Sequence, residues 1–295
     1  MFVRLLAAAA LLCPLAAAPA AAADHRSATV LDETFRRLDV GPGRAWGWQS
    51  AAYAQCSANP DHWKLDRLTT AALSTARGHL TMTASPRADG QWNTGLLTTG
   101  DSCDSGGSGI QIRTGGLLLA HVRLPAEGTG TWPGLWTWRD GHNEMDVFEW
   151  HADVPGTIEF ANHVLPPGSG ALYSGPEIGA GRWLWVGARF GADSVAWYLG
   201  TDLDHLFCAY ADGLGVGEDF AAYPIINLSV DDGNFHAPPR DGRPATLEVD
   251  RLTVEQPAPD WLPGGRRRGA RAPRTQTPAP PPPRRAPAPP PPPAT

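Results

Sequence analysis

Short runs in which every second residue is apolar recur along most of this chain, and no long segment sustains a 3.6-residue period. H-L-T-M-T-A (79–84) and G-I-Q-I-R (109–113) are examples. Such runs stop at Gly, Pro, Asp or Asn, which is how half-buried strands joined by turns are written. The pattern predicts an all-β fold, an antiparallel β-sandwich of the concanavalin-like jelly-roll kind. Residues 60–78 leave room for a helical turn or two. The stretch from about residue 24 to 258 is long enough for one large β domain with a substantial core.

One strand breaks the pattern. In Glu144-Met145-Asp146-Val147-Phe148-Glu149, three acids alternate with core-forming residues. Alternation turns Met145 and Val147 inward and Glu144 and Asp146 outward, but it sends Glu149 to the wrong side. A β-bulge at Phe148 returns Glu149 to the face of the other two acids and points Trp150 inward. Acids stacked on one face repel, so a strand built only for structure avoids them. A retaining glycosidase needs such a pair, one carboxyl as nucleophile and one as acid/base, about 5–5.5 Å apart. On this reading Glu144 is the nucleophile and Glu149 the acid/base, kept protonated by the charge of Glu144, while Asp146 assists between them. Trp132, Trp136 and Trp138 alternate just upstream and share a face, and aromatic faces stack on sugar rings.

These residues resemble glycoside hydrolase family 16, the laminarinase and β-glucanase group. E-M-D-V-F-E is similar to the family's bulged E-x-D-x-x-E strand, and G-T-W-P-G-L-W (130–136) to its G-x-W-P-A-x-W segment. Further similar segments keep chain order: W-N-T-G-L-L-T (92–98), G-G-L-L-L-A-H-V-R-L-P (115–125), A-N-H-V (161–164), R-W-L-W-V-G-A-R-F with S-V-A-W-Y-L-G (182–200), P-I-I-N-L-S-V (224–230) and L-E-V-D-R-L-T-V (247–254). The chain departs from the family at Leu119 and His121, where Glu and Arg are usual, and at Trp138, which replaces an aliphatic residue. The resemblance implies a retaining endo-glycosidase acting on β-1,3- or mixed β-1,3/1,4-glucan. It also implies sugar contacts from Trp92 and His163 beside those of the upstream tryptophans. The alternatives are a non-catalytic glucan-binding protein on the same fold, and a related enzyme acting on galactan or transferring glycosyl groups.

The ends read differently. Residues 1–23 carry one arginine, an apolar run and an A-x-A ending, the form of a secretory signal peptide broken by Pro14 and Pro19. Export to the extracellular space is expected, without a membrane span. In that oxidising setting Cys56 and Cys103, both in polar Gly/Ser-rich loops, are the expected bridge, leaving Cys208 as a buried free thiol. Residues 259–295 are rich in Pro, Ala and Arg and cannot build a core, so a disordered tail of polyproline character is expected. The tail is either a solvated linker or a contact for an acidic cell envelope.

The whole chain carries −6; without the tail's seven arginines and Arg4 the domain is left near −14. An acidic domain with no basic-aromatic platform argues against nucleic-acid binding. His142, His151 and His163 lack a ligand spacing such as H-E-x-x-H, so no metal and no cofactor is expected; a structural Ca²⁺ is not legible in sequence. The D-S-G-G run (104–107) has no suitable upstream histidine and reads as a loop rather than a protease nucleophile. A monomer with a polysaccharide partner completes the expectation.

Overall fold

The computed structural model describes residues 27–125 and 130–258. The expected leader (1–23) and the tail (259–295) lie outside them. The described strands are, in chain order, β1 (Ser27–Glu33), β2 (Asp66–Leu68), β3 (Leu73–Ala76), β4 (His79–Pro86), β5 (Trp92–Thr98), β6 (Ile112–Arg113), β7 (Leu117–Arg123) and β8 (Thr131–Arg139). They continue as β9 (His142–Trp150), β10 (Thr157–Asn162), β11 (Ser169–Ser174), β12 (Trp183–Phe190), β13 (Val195–Gly200), β14 (Phe207–Ala211), β15 (Ala221–Val230) and β16 (Ala245–Pro257). Hydrogen bonding orders them β11-β10-β9-β8-β15-β5-β4-β16-β7-β12-β13-β14, with β1, β2, β3 and β6 added at the sides. The β4–β5 pairing is confined to Ser85↔Asn93 and Pro86↔Trp92. There the sheet folds over into two facing layers. At the opposite edges Tyr173 and Phe207 bring their rings within 5.7 Å, so the sandwich nearly closes.

Alternation explains what fills the gap. Leu80, Met82 and Ala84 of β4 are buried while the residues between them are half-buried. From the outer layer Val122, Leu184, Val186 and Leu247 point inward, and from the acid-bearing layer Met145, Val147, Phe148, Ile158 and Ile226 meet them. Strand β16 shows how the chain handles a slip of phase. Leu247 and Val249 are buried, and so are Leu252 and Val254, which requires an extra residue between the pairs. The pairing with β7 shifts between Val249 and Arg251 accordingly. The helical content over 60–78 reduces to two single 3₁₀ turns, Pro60–His62 and Thr70–Ala72.

Cys56 and Cys103 are bridged as expected, across a sequence separation of 47. Cys208 corrects the reading: it is half-buried and disulfide-bonded rather than a buried free thiol. It sits on the outermost strand of its layer, where a sulfur is reachable, rather than in the core. The D-S-G-G run is a loop, and Ser105 is structural. Its Oγ accepts from the amides of Trp48 (3.0 Å) and Gln49 (2.9 Å) and donates to the Ser102 carbonyl (2.7 Å).

Candidate active site

The acids lie on β9, between β8 and β10, and the expected bulge is there. Leu135 of β8 faces Phe148 while Trp136 faces Asp146, leaving Val147 as the extra residue. The same interruption appears toward β10, where Glu159 faces Glu149 and Ala161 faces Asp146. Met145, Val147, Phe148 and Trp150 are all buried in the core, so both residues at the bulge turn inward and Glu149 rejoins Glu144 and Asp146 on the open face. A bulge strands backbone groups. Here the Asp146 carbonyl accepts from the indole Nε1 of Trp197, a fully buried residue of the opposite layer, at 2.8 Å. The core itself therefore pins the strand that carries the acids.

Those acids open into a cleft of about 350 Å³. Trp132, Trp136, Trp138 and His163 line it with Glu144, Asp146 and Glu149, so seven of the eight predicted site residues come together. Trp92 does not. It is 5% exposed and packs in the interlayer core, because it opens β5 at the fold between the layers, where a large ring is needed as filler. Trp132 donates Nε1–H to Glu149 Oε1 at 2.7 Å, and Trp136 donates to Asn227 Oδ1 at 2.8 Å.

Electrostatics separates the two glutamates. Burial, followed by the charge of Asp146, raises Glu144 to about 7, while His163 and Lys64 oppose the rise. Burial and then Asp146 raise Glu149 to about 8; Lys64 and the Trp132 hydrogen bond work against this, and Glu159 with it. The main causes that hold the Glu149 proton are burial and then Asp146, rather than the expected charge of Glu144. His163 Nε2 stands 3.3 Å from Asp146 Oδ2, and that partner lifts the imidazole to about 9. His163 is thus a cation around neutrality, beside the Asp146 carboxyl.

Sequence reasoning missed the opposite wall. Lys64 places Nζ 3.6 Å above the Trp132 ring and donates to Ser229 Oγ at 3.3 Å. Beneath it Asp66, 1% exposed, accepts from Tyr53 Oη (2.8 Å), Ser229 Oγ (2.7 Å) and the Val230 amide (2.9 Å). Burial pushes the Asp66 carboxyl up while Lys64 pulls it down. Trp63 and Phe235, both exposed, stack at 5.3 Å on the rim of the same cleft. The polar Asn227 and Ser229 in the otherwise apolar β15 were the readable signal for this wall.

The two-layered jelly roll is similar in fold to solved laminarinases and β-glucanases, one of them described as a family 16 enzyme. An endo-β-1,3-glucanase from Pyrococcus furiosus superposes with a TM-score of 0.62 at 17% identity, covering 80% of this chain and 97% of the other. The laminarinase catalytic domain of Thermotoga maritima gives 0.60 at 19% identity, covering 78% and 98%. A non-specific endo-β-1,3(4)-glucanase of family 16 gives 0.58 at 18% identity, covering 79% and 92%. At these identities the likeness is one of fold. No protein-family model and no curated protein matches the sequence.

Proposed function

We propose that this protein is an exported, retaining endo-glycosidase that hydrolyses β-1,3- or mixed β-1,3/1,4-glucan. The observation that carries the reading is the bulged β9, with Glu144 and Glu149 on one face, Asp146 between them and indole rings alongside. The glucanase activities of the structural neighbours support it, and the disulfide fits an oxidising destination.

Glu144 attacks the anomeric carbon as Glu149 gives its proton to the departing oxygen, forming a glycosyl ester. Burial and Asp146 raise both carboxyls, so the pair retains a proton around neutrality, as a general acid requires. Once Glu144 is esterified, Glu149 takes a proton from water, which cleaves the ester with net retention. Asp146 sits beside both, with His163 at 3.3 Å from its Oδ2, so the pair shapes the field around Glu144. Trp132 is buried under Lys64 and serves Glu149 through its Nε1–H, while the half-buried Trp136, fixed through Nε1 to Asn227, offers its face to a pyranose ring.

The test is a panel of laminarin, lichenan, xyloglucan, agarose and carrageenan, scored by new reducing ends. Proton NMR then follows the anomer that first appears. Release from laminarin or lichenan with the β-anomer first is the expected result. Binding to glucan without cleavage would refute catalysis, and the α-anomer first would refute double displacement. Cleavage confined to agarose or carrageenan would reassign the substrate.

A further inference from the structure

Beyond Trp150, at one flank of the cleft, His151, Glu159 and His236 bring one ligand atom each to within 4.8 Å of one another. His151 follows β9, Glu159 stands on β10 opposite Glu149, and His236 belongs to the loop after β15. The catalytic reading uses neither histidine. His151 is 3% exposed, yet neither Nδ1 nor Nε2 has a hydrogen-bond partner. A buried imidazole with both nitrogens unmet is unusual, because one is always a donor and the other, when neutral, a lone pair.

His236 is held by a carboxylate on its far side. Its Nδ1 lies 2.9 Å from Asp153 Oδ1, and the other oxygen of Asp153 accepts the Ala237 amide at 3.1 Å. A carboxylate on the far nitrogen of an imidazole is the arrangement that supports metal ligands. Asp231 anchors the same loop by accepting the amides of Gly233 (2.7 Å) and His236 (2.9 Å). Two neutral imidazoles and one carboxylate suit Zn²⁺ and its neighbours, whereas Ca²⁺ takes six to eight oxygens.

We propose that His151, His236 and Glu159 bind a divalent transition-metal ion of the Zn²⁺ type, fastening the loop 231–239 to the end of the acid-bearing strand. That loop carries Phe235, which stacks on Trp63 at the cleft rim and lies 5.3 Å from Trp132, so the ion sets the position of one cleft wall. Ligand atoms around a tetrahedral ion are about 3.3–3.4 Å apart, so no pair has to close by more than about 1.5 Å on loading. The two imidazoles now stack at 3.6 Å and 10°. Lone pairs in parallel planes cannot both aim at one ion, so binding opens the stack.

The experiment uses the tag-free full chain, stripped with a chelator and titrated with ZnCl₂ by calorimetry, with thermal unfolding and imidazole ¹⁵N spectra in parallel. One equivalent should bind, raise Tm by several degrees and shift the His151 and His236 resonances. His236→Ala and Glu159→Gln should each weaken binding at least tenfold, and Asp153→Asn ten- to a hundredfold. His236 and Asp153 lie at the surface side of the cluster, so their variants should fold even where loss of His151 does not. No saturable one-to-one binding, unchanged affinity in His236→Ala, or Ca²⁺ binding at these residues in preference to Zn²⁺ would each overturn the assignment. None of these readouts depends on glucan hydrolysis.

Discussion

Replacing Glu149 with Gln should make the protein more stable at neutral and alkaline pH while it removes activity on polysaccharide. The carboxyl is raised from 4.5 to about 8, chiefly by burial and then by Asp146. A native carboxyl raised above its unfolded value is favourable while protonated, and that advantage drains away as pH rises from about 4.5 through about 8. In linkage terms the native state holds the extra proton over that window, so the slope of stability against pH is negative. Each pH unit is worth about 1.4 kcal/mol, which sets a ceiling of about 3 kcal/mol at pH 7 and about 5 kcal/mol above pH 8. Glu144 shares the same burden and the cleft opens to water, so roughly half the ceiling, about 1–2 kcal/mol at pH 7, is the expected gain.

Gln is close to isosteric with the protonated acid and still accepts the Trp132 indole hydrogen bond. At pH 4.5 the two proteins should therefore melt together. At pH 7 and above the variant should lead by about 3–6 °C, using about 2–4 °C per kcal/mol for a domain of this size. Thermal unfolding from pH 4.5 to 9, with glucan turnover measured on the same preparations, reads both effects. A Tm difference that does not change with pH, or a variant less stable at pH 8, would refute the argument that Glu149 is held protonated by its surroundings.

The remaining predictions concern what supports that carboxyl. Trp132→Phe removes the donor that partly lowers the Glu149 value, so the alkaline limb of the kcat/KM profile should move up by about one pH unit, a charge-assisted hydrogen bond being worth about 1.5–3 kcal/mol; an unmoved limb would contradict it. Trp197→Phe leaves the Asp146 carbonyl at the bulge without its core donor and should cost about 1–3 kcal/mol in denaturant unfolding, with a loss of kcat larger than any change in KM. Cys56→Ser with Cys103→Ser opens a crosslink of sequence separation 47 and should destabilise by about 3–4 kcal/mol in the chain-entropy account, read as a drop in the denaturant midpoint.

How much of this was legible in the sequence follows from phase and distance. The acid strand stood out because acids alternate with core residues, and its bulge was readable because Glu149 sits one position out of phase with Glu144. The same logic holds for β16, where two buried pairs slip by one residue. Trp92 was misread because alternation states that a residue faces one side of its layer, not whether that side is cleft or core. That is decided by where the sheet folds over, at Ser85↔Asn93 and Pro86↔Trp92.

The opposite wall was harder still. Asp66 reaches the site because β2 runs parallel to β5, and Lys64 because it bridges to Asp231 after β15; both are long-range pairings with no local signature. His151, Glu159 and His236 lie on a strand end, a neighbouring strand and a distant loop, so a search for local ligand spacings finds none of them together. What ties these groups to the acids is the bulge. It sets Glu149 level with Glu159, leaves Asp146 level with Ala161, and brings the chain out of β9 at His151, beside the loop that holds His236. One inserted residue therefore fixes both the spacing of the acids and the approach of the histidine pair, which is why the site has to be built from the strand register outward.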